Sequence, residues 1–147
     1  MEPVINRGGR ERYRLLEHTA DLKVAVFGSS LAELFANSAF MLFDVMLDLD
    51  AVGETESRTV VLQSADAQEL LLDWLRELLF LFSAQGFVTG RAEVLEIETG
   101  RLTAVLHGET YDPARHGLKL EVKTPTYHEY RLEETAGGWQ ATILLDV

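Results

Sequence analysis

Residues 17–26 read Glu17-His18-Thr19-Ala20-Asp21-Leu22-Lys23-Val24-Ala25-Val26, and their pattern organises the rest of the chain. Leu22, Val24 and Val26 alternate with Lys23 and Ala25, the period of a strand with one face buried. Asp21 therefore stands at a strand entrance, where a rigid backbone aims its carboxylate. Thr19 and Asp21 are also ordinary turn formers, because their side chains hydrogen-bond nearby amides. Alone, the stretch favours the plain turn reading. The far end adds weight to chemistry: Ile143-Leu144-Leu145-Asp146-Val147 sets a second carboxylate at a strand terminus, followed at once by the terminal carboxylate of Val147.

Two amphipathic segments lie between these ends. Ser30-Leu31-Ala32-Glu33 is a capping box, in which hydroxyl and carboxylate satisfy the free amides of a helix start. The helix it opens, to about Leu47, keeps Glu33, Asn37, Asp44 and Asp48 on a narrow stripe among Leu34, Phe35, Phe40, Leu42, Phe43, Val45 and Met46. A second helix starts near Ser64 or Asp66 and runs to about Phe82, polar only at Glu69, Asp73, Arg76 and Glu77, with Gly86 as its stop. Helices this apolar are buried over more than half their circumference.

The remainder reads as strands. Arg58 to Gln63 bridges the helices, and Phe87 to Glu98 is broken by Gly90, the mark of a bulge. Thr99-Gly100 turns the chain into Leu102 to His107, and Gly108 to Gly117 reads as an irregular loop. Leu118, Leu120 and Val122 alternate, as do Tyr130 with Leu132, and Trp139, Ala141, Ile143 and Leu145; Gly137-Gly138 fits a hairpin turn. The expected fold is α+β: one domain, with a mostly antiparallel sheet of about seven or eight strands covered by two main helices.

Bulk properties narrow the function. The 147 residues suit one domain, expected over 13–147 behind a frayed arm over 1–12. Without Cys there are neither disulfides nor thiolate metal sites. No secretory apolar core opens the chain and no apolar run approaches the roughly 18–20 residues that span a bilayer, so the expectation is a cytoplasmic protein with no membrane partner. The net charge of −11 repels phosphate backbones, which argues against direct nucleic-acid binding. Arg7, Arg10, Arg12 and Arg14 could touch a polyanion, but fraying is the commoner fate of such a start.

Several catalytic motifs are missing. Neither phosphate-binding glycine loop occurs, nor H-E-x-x-H, nor G-x-S-x-G. Asp48-Leu49-Asp50-Ala51-Val52-Gly53 opens like a calcium loop, then fails at Val52 and at Thr59, where a bidentate Glu is needed. What remains is a set of polar residues at strand ends: Asp21, Lys123, His128 and Asp146, with Glu109 and His116 in the loop between. If they meet, two aspartates and a terminal carboxylate repel unless neutralised. A hard divalent cation (Mg, Ca or Mn) would do so, and Lys123 could do part of it by ion pairing. Spacing alone does not separate this from an ordinary surface lysine and a plain strand end.

These residues carry a family pattern. From about Tyr13 to Val147 the chain resembles archease, a small protein cofactor of RNA ligation. The matching pieces are Glu17-His18-Thr19-Ala20-Asp21, the helix Leu31 to Met46, Leu71-Leu72-Asp73-Trp74-Leu75 with Glu77-Leu78-Leu79, Gly108-Glu109, His116, Val122-Lys123, Thr126-Tyr127-His128 and the closing Asp146-Val147. The chain departs at Lys23, where a small residue is usual, at Thr124-Pro125 in place of Ala-Val, and at Arg76 in place of Asn. Pro125 also removes a backbone donor beside Lys123.

The resemblance implies a strand-helix-strand-strand module and a role as activator, not enzyme. The partner would be the GTP-dependent RNA-splicing ligase of tRNA splicing, helped to load guanylate onto its own histidine and to recycle. Carried over, Asp21 and Asp146, with Val147, would hold a divalent metal ion, and Lys123 would be essential to activation. His18, His128 and Glu109 would support the site. Two readings compete: a stand-alone metal-dependent phosphoester hydrolase, for which His128 is the one candidate base, and a general chaperone or adaptor.

Overall fold

The computed structural model describes residues 3–5, 9–18 and 21–147, and the side chains of residues 17 and 18 lie outside that description. The alternating runs become strands and the amphipathic runs helices: β1 (Val4–Ile5), β2 (Glu11–His18), β3 (Leu22–Gly28), α1 (Leu31–Met46), β4 (Glu56–Gln63), α2 (Ala67–Gln85), β5 (Phe87–Glu98), β6 (Arg101–Thr110), α3 (Pro113–His116), β7 (Thr124–Thr135) and β8 (Gly138–Asp146), with a 3-10 turn at Leu49–Ala51. The architecture is α+β, as expected. The strands divide into two antiparallel sheets, a five-stranded β1-β2-β3-β8-β7 and a three-stranded β4-β6-β5.

This division explains why the helices are apolar nearly all round. α1 packs on β2, β3 and β8 of the larger sheet and on β5 of the smaller, and α2 touches β7 as well as β4, β5 and β6. Phe35, Phe43 and Met41 on α1 and Trp74, Leu71 and Leu75 on α2 are fully buried. Each such side chain contributes about 1.5–3 kcal/mol from area removed from water. The Trp74 indole N–H donates to the carbonyl of Phe35 at 2.9 Å, so the largest core side chain also finds a polar partner between the helices.

The caps follow the sequence with one adjustment. The Ser30 hydroxyl accepts the Glu33 N–H at 3.1 Å, but the Glu33 carboxylate reaches the Ser29 amide, one residue earlier than a standard capping box. Asp66 caps α2 on the Glu69 N–H, and α2 ends at Gly86 with φ +66. Gly100 turns β5 into β6 with φ +72, and the β7–β8 hairpin closes with Thr135 opposite Gly138. Within the segment expected to fray, Val4–Ile5 pair with β2 and Arg10 meets Glu33 at 3.1 Å.

Two readings are corrected. Leu118 to Val122 is not a strand. The N–H groups of Lys119 and Leu120 instead donate to the Met46 carbonyl at the end of α1, at 2.7 and 3.2 Å, so the alternation accompanies a helix-capping loop rather than a sheet. Nor is Gly108–Gly117 wholly irregular. β6 continues to Thr110, and Pro113–His116 form a helical turn capped by Asp112, whose side chain accepts the Ala114 N–H at 3.1 Å. Asp followed by Pro is itself a helix-start signal, and it was legible in the sequence.

Candidate functional site

The register of the five-stranded sheet brings the ends of the chain together. β3 and β8 pair with Leu22 opposite Leu145 and Lys23 opposite Leu144. One residue beyond the Leu22–Leu145 pair stand Asp21, in the bend before β3, and Asp146, the last residue of β8. On the other side Asp146 is opposite Thr124, and its carbonyl accepts the Lys123 N–H at 2.8 Å. Three segments distant in sequence thus converge on one sheet end. Leu145 faces the core, so by alternation Asp146, the next residue of β8, projects from the opposite face.

Both carboxylates are half-buried, and among the described residues neither has a side-chain ion pair or hydrogen bond. Lys23, two residues from Asp21, pairs with Glu129 at 3.6 Å instead. Lys123 is exposed and likewise makes no ion pair among the described residues, so the neutralisation expected of it is absent from this arrangement. It lines a groove of about 500 Å³ together with Phe82, Tyr111, Leu118 and Glu121. Asp21 and Asp146 offer hard oxygen donors of the kind a divalent cation takes. Among the described residues no three His, Asp or Glu side chains gather as a ligand set, so the expected third donor is the terminal carboxylate of Val147, a half-buried residue packed against the core.

The supporting residues are placed differently. His18 pairs in register with Leu22, one rung from Asp21; its side chain, with Thr19 and Ala20, lies outside the described residues. His128 is exposed in the irregular stretch of β7 between Thr126 and Arg131, four residues past Thr124, beside Glu129 at φ +56. Glu109 is held elsewhere. Its carboxylate accepts from Arg115 at 2.7 and 3.0 Å, from the Gly53 N–H at 2.6 Å and meets His116 Nε2 at 2.8 Å. Arg115 first, then the Gly53 amide and His116, hold this carboxyl well below its usual range.

His116 is fully buried, and its Nδ1 accepts the Asp112 N–H at 2.9 Å. That leaves the ring proton on Nε2, donating to Glu109. The His116 carbonyl in turn takes the Asp48 N–H at 2.9 Å. Glu109 and His116 therefore brace the loop that leads to Lys123 rather than standing among the tip carboxylates. Arg115, which completes the brace, is a residue the sequence reading passed over.

The fold defines a class of small α+β protein, two antiparallel sheets packed on two main helices. Residues 13–147 match the model of the Archease protein family (MTH1598/TM1083). The chain is 43% identical to the protein archease of Methanosarcina mazei, over 93% of this chain and 97% of that one. It is 41% identical to the protein archease of Thermococcus gammatolerans, over 92% and 99%. The solution structure of Methanobacterium thermoautotrophicum protein 1598 superposes with a TM-score of 0.74 at 30% identity, covering 92% of this chain and 98% of that one. A crystal structure from Thermotoga maritima, described as an archease and possible chaperone, shares the fold with a TM-score of 0.65 at 19% identity, covering 91% and 96%. The chain belongs to the archease family.

Proposed function

We propose that this chain is a non-enzymatic activator of a GTP-dependent RNA-splicing ligase, promoting guanylylation of the ligase and its turnover in tRNA splicing or RNA repair. The observation that carries the reading is the convergence of Asp21, Asp146 and Lys123 on one sheet end. Asp21, Asp146 and Val147 are the residues that would hold a Ca, Mg or Mn ion. Such an ion, when bound, supplies positive charge to a phosphate undergoing transfer. Lys123, exposed on a backbone fixed by Asp146, is free to reach outward to the same phosphates. The protein's part is to position: phosphoryl transfer is limited by alignment and by charge stabilisation. Its net charge of −11 suits docking beside a basic RNA-binding surface and disfavours holding RNA itself. The working place would be the cytoplasm; no described helix is long and apolar enough to cross a membrane.

A hydrolase reading needs a base at the tip. His128, the sequence candidate, lies four residues along β7 from the residue opposite Asp146. The separating experiment incubates the pure protein with GTP and with phosphoesters, alone and with the ligase. The proposal expects turnover only of the ligase's guanylylation; hydrolysis by the protein alone would overturn it in favour of an enzyme.

A further inference from the structure

Each sheet ends in two edge strands, whose outer N–H and C=O groups are a template for another strand. Three of these edges, β1, β5 and β7, are guarded. β1 has only two residues. β7 slips out of register between Thr126 and Arg131, and α2 packs on it, the Gln68 side-chain amide donating to the Leu132 carbonyl at 2.7 Å. β5 slips twice against β6 and carries Glu93, Glu96 and Glu98. Shortness, slips and charges are the usual means of blunting an edge.

β4 has none of them over residues 59–63. Its register with β6 is unbroken from Glu56 to Gln63, and Thr59-Val60-Val61-Leu62-Gln63 contains no charge, Gly or Pro. The strand's one cation, Arg58, pairs with Glu56 at 3.3 Å and lies over the buried Phe87 ring, 4.6 Å from the centroid. Among the described residues no other main chain bonds to the free side of residues 59–63. Beside this edge lie two hollows of about 320 and 210 Å³ between β4 and α2, and Glu77 of α2 lines both. Phe80 lines one and Val61 the other, apolar side chains 54% and 59% exposed. The other charges of the lining are paired: Arg58 with Glu56, and Asp73 with Ser64 and Arg76. Glu77 is half-buried and has no ion pair or hydrogen bond among the described residues. An open strand edge beside a helix takes an extended peptide as one more strand, main chain giving affinity and alternate side chains giving choice.

We propose that the β4 edge binds an extended segment of a partner protein as an added strand, apolar in alternation and placing a Lys or Arg on Glu77. A second copy of this chain suits the edge poorly: its β4 offers no free cation, and two chains of net charge −11 repel. The surface belongs to the smaller sheet and does not rest on the carboxylate tip or on the ligase. The test is fluorescence anisotropy of the full chain with the labelled, end-blocked peptide Thr-Val-Thr-Lys-Thr-Val-Thr, whose Val, Lys and Val share one face when extended. Saturable binding is expected, weakened about fivefold or more when Glu replaces the Lys, the upper range for a partly exposed charge pair. Glu77→Lys should invert that preference, and Val61→Lys and Phe80→Ala, both at exposed positions, should weaken binding. N-methylation of the Thr residues and of the Val and Lys residues should differ, one set abolishing binding and the other sparing it, because only alternate residues bond to β4. Asp21→Asn should bind as wild type does. No saturable binding, equal affinity for the Lys and Glu peptides, or an equal effect of the two N-methylated sets overturns the proposal. A dimer of the chain alone, seen by sedimentation and dissociated by Val61→Lys, also overturns it and assigns the edge to a second copy.

Discussion

The backbone N–H of Lys123 donates to the carbonyl of Asp146 at 2.8 Å, fastening the loop that carries the lysine to the last rung of the five-stranded sheet. The lysine's position is thus set by main chain, while its side chain remains unpaired among the described residues. On the other flank of Asp146, the β3–β8 register delivers Asp21. Asp21 and Asp146 thus stand at the same end of the sheet, and among the described residues neither carboxylate has a side-chain partner.

This shared sheet end predicts a metal-dependent melting temperature. Asp21→Asn should leave the metal-free protein as stable as wild type or slightly more so, because it removes a like charge from the end of the sheet that carries Asp146. Wild type should gain about 2.7 kcal/mol when Ca or Mg reaches a hundred times its dissociation constant, reversed by chelator, and the variant should gain almost nothing. Equal shifts in both proteins would detach the cation from this end of the sheet.

Glu109 predicts an acid limb. Its folded pKa is depressed by Arg115, the Gly53 amide and His116. In the acid range the unfolded chain therefore binds the extra proton, and stability rises with pH there. The contribution is complete above the ordinary carboxyl value near 4.5 and fades as pH falls below it toward the depressed value. Denaturant melts from pH 7 to pH 3 should show Glu109→Gln less stable at neutral pH and less sensitive to acid than wild type. Parallel curves would show that the brace does not titrate as its contacts imply.

The Trp74 indole tests the contact between helices. Trp74→Phe removes its bond to Phe35 and leaves a gap beside a fully buried site. A loss of about 1–3 kcal/mol is expected, combining one hydrogen bond and a partial cavity. Chemical denaturation with an unchanged m-value would confirm a change in stability rather than in the unfolded state.

Local signals in the sequence found most elements. The capping serine, the alternation of Leu22, Val24 and Val26, and the glycine turns each act within a few residues. The positions of Asp21 and Asp146 at strand ends were legible for a related reason: such ends are read locally. The Glu109 brace was not, because its carboxylate is satisfied by Gly53, 56 residues away, and by an arginine in a segment read as irregular. Leu118 to Val122 misled because alternation records which side chains face inward, not where the amides bond.

The measurement closest to the central claim is guanylylation of a purified RNA-splicing ligase by GTP, with and without this protein, comparing wild type with Asp21→Asn and Lys123→Ala at matched thermal stability. The account predicts strong stimulation by wild type and a loss of about a hundredfold or more in each variant, the scale of removing one charge-stabilising group from a phosphoryl-transfer site. Full stimulation by both variants would contradict it, leaving the paired aspartates and the lysine without a part in activation.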